Sequence, residues 1–349
     1  MQMRTLGSSD LAVSEIGIGG WAIGGPDTNL NMDMGWGDTD DDQSLKGLLK
    51  AFELGANHFD TADIYGHGHS ERLIGQFLKQ VPRHTIVIGT KVGYFRGCAP
   101  NAYHPLHIRH QLEMSLSNLG TDYIDIYYFH NFHFGVHDEY LLPAIGMMKR
   151  LKEDGKIRYI GLRGPHEYAP ERAGKTKNAD EKYERFLTTA QLVQPTVIQT
   201  RYNMISPTFD QSGTDIFQWA EQHHVGIVIN KPLGQGLLLD KYDPEHPPLF
   251  QAGDHRRNKR WFQSEGLRAL NRRLALLKER FGPTTQDLVR VALQYGLARS
   301  PRAVTIPGFK NAGQVAMNLA AAGHPLSKDD IQFIRTTMAS LNEEIGRFF

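Results

Sequence analysis

The stretch YIDIYYFHNFHFGVHDEYLLPAIGMMKRLKEDGKIRYIGLR, residues 123–163, holds two short apolar runs with a helical pattern between them. The runs are YIDIYYFH (123–130) and IRYIGLR (157–163), rich in the β-branched and aromatic residues that suit a pleated strand. Between them, DEYLLPAIGMMKRLKEDG has its apolar residues at helical spacing and ends in Gly155, a helix stop. Strand, helix, strand is the unit from which parallel sheets are built. The same alternation extends in both directions. Before it come SEIGIGG (14–20), NHFD (57–60) and TIVIGTK (85–91); after it come TVIQT (196–200), GIVIN (226–230) and AVTIP (303–307). DDQSLKGLLKAFELG, with Leu45, Leu48, Leu49 and Phe52 at helical spacing, lies between the first two strands. HSERLIGQFLKQ, HIRHQLEMSLSNLG and TDIFQWAEQHH follow the same logic.

Eight strands alternating with helices predict an α/β fold, a (β/α)₈ TIM barrel. RTLGSSDLAV reads as a short N-terminal β-hairpin ahead of it. Two connections exceed plain barrel loops: GPHEYAPERAGKTKNADEKY after strand five and KPLGQGLLLDKYDPEHPPLFQAGDHRRNKRWF after strand seven. Both leave the C-terminal ends of strands, where barrel enzymes build their sites. No linker, composition shift, repeat or low-complexity tract interrupts the chain, so one domain over residues 1–349 is expected.

Composition narrows the function. The chain has 349 residues, 40% hydrophobic and 22% charged, with a formal net charge of +1. That balance argues against a nucleic-acid or anionic-membrane partner. No run approaches the roughly 20 apolar residues of a membrane span, and MQMRTLGSSD lacks the apolar core of a secretory signal. The single cysteine, Cys98, excludes an internal disulfide and fits a reducing cytoplasm.

Four ionisable residues end strands or lie just beyond them. Asp60 closes the second strand, Tyr65 follows five residues later, Lys91 closes the third and His130 the fourth. In a barrel these ends converge on one mouth. A free tyrosine, with pKa about 10, is a poor proton donor near neutrality. An ammonium at Lys91, held by Asp60, is expected to lower that pKa. A neutral His130 imidazole could orient a carbonyl oxygen, so that the group polarises C=O and protonates the alkoxide formed by hydride attack. The plain alternatives are helix caps, solvated charges and a structural histidine.

FDTADIYGHGHSERLIG (59–75) resembles the signature of the aldo-keto reductase superfamily, in which an Asp and a Tyr five residues apart belong to a catalytic tetrad. IGIGGWAIGG, FELGANHFDTA, TKVG, IDIYYFH, GKIRYIGL, QTRYNMISP, KPLGQGLL and IPGFKNAGQVAMN are similar to further family segments, in the family's order. The resemblance implies NADP(H)-dependent reduction of an aldehyde or ketone, with Tyr65 as general acid, Asp60 and Lys91 tuning it, and His130 orienting the substrate carbonyl. It implies NADPH lying extended across the barrel mouth, which fits the lack of a GxGxxG between a strand and a helix. By the same resemblance Trp21, Asp60, Arg163, Gln199 and the turn with Pro232, Leu233, Gln235 and Gly236 lie near the nicotinamide and pyrophosphate. Gly308, Lys310, Gln314 and Asn318 fall at the adenosine end. A lysine there suits a 2′-phosphate, and Arg256 in the long loop would add a second cation.

The chain departs from the family pattern at three places. Arg163 and Gly164 stand where a Ser or Asn usually holds the carboxamide; Asn230 and Lys231 replace a stacking aromatic and a small residue; Met317 replaces an acid. Arg163 and Lys231 could therefore bind an acidic substrate group. His67 and His69 resemble a metal-binding HxH, but they lie in a turn and no companions end later strands, so no metal is expected. The remaining alternatives are a non-enzymatic NADP-binding regulatory subunit, like the potassium-channel β subunits of the superfamily, and redox-neutral lyase or epimerase chemistry with retained NADP. The long loops suggest a bulky, polar small-molecule carbonyl substrate. A homo-oligomer is possible.

Overall fold

The computed structural model describes residues 1–165, 179–206, 210–211, 214–257 and 259–345. Eight parallel strands form one sheet: β1 (Ile18–Gly19), β2 (His58–Asp60), β3 (Val87–Val92), β4 (Ile124–Phe129), β5 (Ile157–Arg163), β6 (Val197–Arg201), β7 (Gly226–Asn230) and β8 (Ala303–Ile306). They pair in chain order from β1 to β8. Parallel bridges Ile16–Thr305 and Gly19–Gly308 bring the two edge strands together, so the sheet curls into the predicted barrel. Backbone bonds Gly17 N to Thr305 O (2.8 Å) and Thr305 N to Glu15 O (3.0 Å) support that closure.

Both faces of every strand are covered, which is why the strands read as nearly continuous apolar runs. On β4 the period of two decides which layer each residue joins. Ile126 and Tyr128 point inward with Val87, Val197, Val228 and Val304. Tyr127 and Phe129 point outward into the larger core beneath the helices. The expected hairpin is Met3–Thr5 paired with Ala12–Ser14. Its Leu6, Leu11 and Val13 join the inner cluster, so the hairpin plugs the N-terminal end of the barrel. The functional mouth is thereby left at the other end.

The helices start where polar side chains accept backbone N–H groups. Asp40 caps Asp41–Glu53 by accepting from Gln43 N. Asp215 with Gln218 and Thr284 with Asp287 form capping boxes ahead of Ile216–Gln222 and Thr285–Leu297. Of the long connection after β5, residues 166–178 lie outside the described residues. The connection after β7 is described except at 258. It opens with a 3₁₀ segment, Gly234–Leu239, in which Gln235 and Gly236 have φ of 63° and 90°.

That second connection reaches back to the loop after β1. Asp27 N and Gly35 N both donate to Gly253 O (3.1 and 2.9 Å), and His255 N donates to Gly35 O (3.1 Å). Gly253 N donates to Asp33 Oδ1 (2.8 Å). The two loops form one strap over the C-terminal mouth, and Trp36, His255 and Arg256 line the cavity beneath it. Among the described residues no helix is long and apolar enough to cross a membrane.

Candidate active site

Asp60 ends β2 and Lys91 lies near the end of β3, and adjacent parallel strands bring their side chains together. Lys91 Nζ donates to Asp60 Oδ1 at 2.6 Å and lies 3.3 Å from the Tyr65 hydroxyl. It also donates to the Thr61 carbonyl oxygen. The Lys91 side chain is 1% exposed, so this is a buried ion pair with its donors in use. His130, one residue past β4, is buried and meets the Tyr65 ring edge-on, with centroids 5.9 Å apart. The four residues singled out in the sequence thus gather at one corner of the mouth.

Gln199 on β6 extends this network. Its Nε2 donates to Asp60 Oδ2 at 2.6 Å, and its Oε1 accepts from Asn230 Nδ2 at 3.2 Å. Gln199 therefore fixes the carboxylate of Asp60 from the side opposite Lys91. The other amide atom of Asn230, Oδ1, is buried and has no hydrogen-bond partner. Among the described residues the guanidinium of Arg163, at the end of β5, makes two hydrogen bonds, 3.4 Å each, to Gln199 O and Oε1.

The electrostatics differ from the sequence expectation at Tyr65. Lys91 was expected to draw the phenol pKa down. Instead, burial pushes it well above its ordinary value, with Asp60 adding to the rise and Arg163 opposing it. The physical reason is that removing the phenolate from water costs more than nearby cations return. The ammonium of Lys91 is itself largely neutralised by Asp60 at 2.6 Å. Burial holds the pKa of Lys91 below its usual value and that of Arg163 likewise, in each case with partial compensation by nearby negative groups.

A cavity of about 680 Å³ runs from this corner to the loop after β8. Tyr65, His130, Trp21 and Arg163 line one part; Gly308, Lys310, Gln314 and Asn318 line another. Trp21 donates its indole N–H to Met34 O (2.9 Å) and stacks near Tyr65, centroids 5.9 Å apart. Pro232, Leu233, Gln235 and Gly236 also border the cavity. Lys310, Arg256 and Lys241 are close enough that burial and mutual repulsion lower the pKa of Lys310 and Lys241. Arg256 is paired with Asp254, Nε to Oδ1 at 2.9 Å, and its guanidinium sits 4.2 Å above both Trp36 and Phe250. Lys310 Nζ rests on the carbonyl oxygens of Gly37 and Asp38. Gln314 is engaged locally, its Oε1 accepting from Lys310 N at 2.9 Å, and Asn318 Nδ2 donates to Gly308 O at 3.2 Å.

These features fit an extended dinucleotide. Among the described residues six cations line the cavity (Arg163, Lys231, Lys241, Arg256, Lys259, Lys310) against two carboxylates, Asp33 and Asp60. Such an excess in a chain of net charge +1 suits a polyanion. The orphaned Asn230 Oδ1 offers an acceptor for an amide N–H near the reacting corner.

Several cavity residues escaped the sequence reading: Met34, Trp36, Tyr94, Lys241, Lys259 and His255. Most lie in irregular loops, where no periodicity marks an inward side. His255 stands beside Arg256 in GDHRR, and only the strap turns it onto Trp21, centroids 4.1 Å apart. The HGH histidines are held elsewhere. His67 Nδ1 pairs with Asp27 at 2.6 Å; His69 bonds Gly24 O and Asp41, and opens the helix His69–Leu78.

Comparison with known proteins identifies the family of the chain and agrees with its fold. The model of the aldo/keto reductase family matches residues 15–338. The NADH-specific methylglyoxal reductase of Escherichia coli is 28% identical, the match covering 98% of this chain and 99% of that protein. The L-galactose dehydrogenase of Arabidopsis thaliana is 26% identical over 92% and 88%. Among solved structures, the glycerol dehydrogenase of Gluconobacter oxydans superposes with a TM-score of 0.74 at 25% identity, covering 97% and 95%. The holo form of an aldo-keto reductase from Bacillus halodurans gives 0.69 at 28%, covering 97% and 96%. With a barrel of this topology and a family match over almost its whole length, the chain belongs to the aldo/keto reductase family.

Proposed function

We propose that this protein is an NADP(H)-dependent reductase of an aldehyde or ketone, with Tyr65 as the general acid. The observation that carries the reading is Lys91 bridging Asp60 (2.6 Å) and Tyr65 (3.3 Å) in the wall of a cavity whose far part is lined by Lys310 and Arg256. The nicotinamide cofactor would supply the hydride. Lys310, Arg256 and Lys241 would hold its phosphates, and Asn230 with Gln199 would meet its amide.

The protein's own residues handle the proton. The raised pKa of Tyr65 keeps the phenol protonated throughout the neutral range. An alkoxide is far more basic than a phenolate, so transfer from Tyr65 to the product oxygen runs downhill. Lys91, 3.3 Å away, then stabilises the phenolate left behind. His130, edge-on to Tyr65, would hold the substrate oxygen against the hydroxyl. Asp60 and Gln199 keep the ammonium in position. Trp21, Trp36 and His255 wall the corner with rings and limit water there.

The preference for NADP rests on the cation cluster around Lys310. The relatives divide on this point: one is named NADH-specific, and another, from Schizosaccharomyces pombe, carries NADP(+) in its name. Fluorescence titration of the purified protein with NADPH and NADH tests the reading. NADPH is expected to bind at least about tenfold tighter, a difference of about 1.4 kcal/mol. Equal affinities would overturn the NADP assignment, and absence of binding by either would overturn the reductase reading.

A further inference from the structure

Arg163 is a cation lining the reacting corner that the proton-transfer scheme does not use. Its guanidinium is half-buried, it borders the cavity, and its only hydrogen bonds among the described residues are two long ones to Gln199. It forms no ion pair with any described carboxylate. Asp60, which interacts with Arg163 electrostatically, is bound by Lys91 at 2.6 Å and by Gln199 at 2.6 Å. A desolvated cation without a partner anion is costly and is retained where a ligand supplies the anion. The other acid lining the cavity, Asp33, accepts from the Gly253 backbone in the strap.

Three further facts say what kind of anion. First, Arg163 and Tyr65 line the same cavity and interact electrostatically, so a group bound to the guanidinium would lie near the carbonyl that Tyr65 would protonate. Second, the planar fork of arginine matches a carboxylate with two parallel N–H donors, whereas a neutral amide oxygen uses few of its five N–H groups. Third, Lys231 extends from the end of β7 over Trp21, 4.7 Å from the ring, adding positive charge beside a ring that stacks on Tyr65. The phosphate-binding cations Lys310, Lys241 and Arg256 interact with one another and form a separate group.

We infer that the corner between Arg163, Lys231 and Tyr65 is a carboxylate subsite, and that the favoured substrates are 2-oxo acids, with the carboxylate on Arg163 and the adjacent keto oxygen at Tyr65. This inference rests on the reductase reading above. Reduction converts the ketone to a 2-hydroxy acid: hydride adds to the keto carbon, Tyr65 protonates the oxygen, and the carboxylate is unchanged.

The test compares phenylglyoxylate with its methyl ester at saturating NADPH, for the wild type, R163Q and R163K. Acid and ester share the keto group and ring, and differ in the charge. The ratio of their kcat/KM values cancels any effect of Arg163 on cofactor binding or folding. The wild type is expected to favour the acid by at least about tenfold, chiefly through KM. R163Q is expected to reduce that ratio to near one, and R163K to retain part of it. A wild-type ratio near one overturns the inference while leaving the reductase reading standing. So does an R163Q enzyme that keeps the full ratio. Reduction of neither compound, nor of any in a panel of neutral aldehydes, overturns the reductase reading and the inference with it.

Discussion

Replacing Lys91 by methionine removes an ammonium from a site where the side chain is 1% exposed and leaves Asp60, 3% exposed at its side chain, without its cation. The aliphatic stem is kept, so packing changes little. Asp60 retains one strong donor, Gln199 Nε2 at 2.6 Å, while the Thr61 carbonyl loses the Lys91 donor. Breaking a buried pair by removing one partner typically costs about 3–5 kcal/mol, because the surviving charge stays desolvated. K91M should therefore lose about 3–5 kcal/mol in equilibrium urea unfolding followed by tryptophan fluorescence. D60N should also destabilise, since it strands the ammonium. The double variant D60N/K91M has no stranded charge, so its loss should fall short of the sum of the single losses by about 1–3 kcal/mol. In the same preparations, kcat for a neutral aldehyde should drop by about 10²–10⁴-fold in K91M. A K91M stability within about 1 kcal/mol of wild type, or strict additivity in the cycle, would show that the pair is not the coupled, desolvated unit described above.

Further outcomes follow from the same geometry. Y65F should lower kcat by about 10²–10⁴-fold while NADPH affinity, read by fluorescence titration, stays within about threefold. K310M should weaken NADPH binding by about 10–100-fold, the value of a charge-assisted hydrogen bond, and should weaken NADH binding much less. His58, wholly buried in β2, has its pKa lowered by burial from 6.5 to about 4. The unfolded chain then takes up a proton that the folded one refuses. The resulting loss of stability is absent above pH 6.5, grows as pH falls towards 4, and reaches about 3 kcal/mol. Urea unfolding of wild type and H58N at pH 7.5 and pH 4 should show that extra loss only in the wild type; parallel pH dependences would sink the assignment.

The barrel was legible because its signals are local. Each of β1 to β8 is a short run of the right residues, and each functional side chain at a strand end was numbered from that run. Asp60, Lys91 and His130 were found in this way, and Tyr65 by its spacing from Asp60. What lay hidden depends on contacts distant in sequence. Gln199 grips Asp60 across 139 residues, and Gly253 meets Asp33 across 220. No periodicity reports such pairings. The phenol pKa was misjudged for a related reason. The sequence revealed the nearby ammonium, but not the burial that outweighs it or the carboxylate that already neutralises it. The cation excess was likewise invisible to composition, since a net charge of +1 conceals six cations turned into one cavity.

The strap over the mouth opens only at the cost of its hydrogen bonds. Parting its two loops breaks at least the three backbone hydrogen bonds joining Asp27, Gly35, Gly253 and His255. At about 1 kcal/mol net for each, the parted form is populated at roughly one molecule in a hundred or fewer. A dinucleotide that had to pass the strap would wait for that minority, and one already inside would be held by the same odds. Exchange, and with it the turnover clock, would then be governed by a latch built from two glycines far from the reacting atoms.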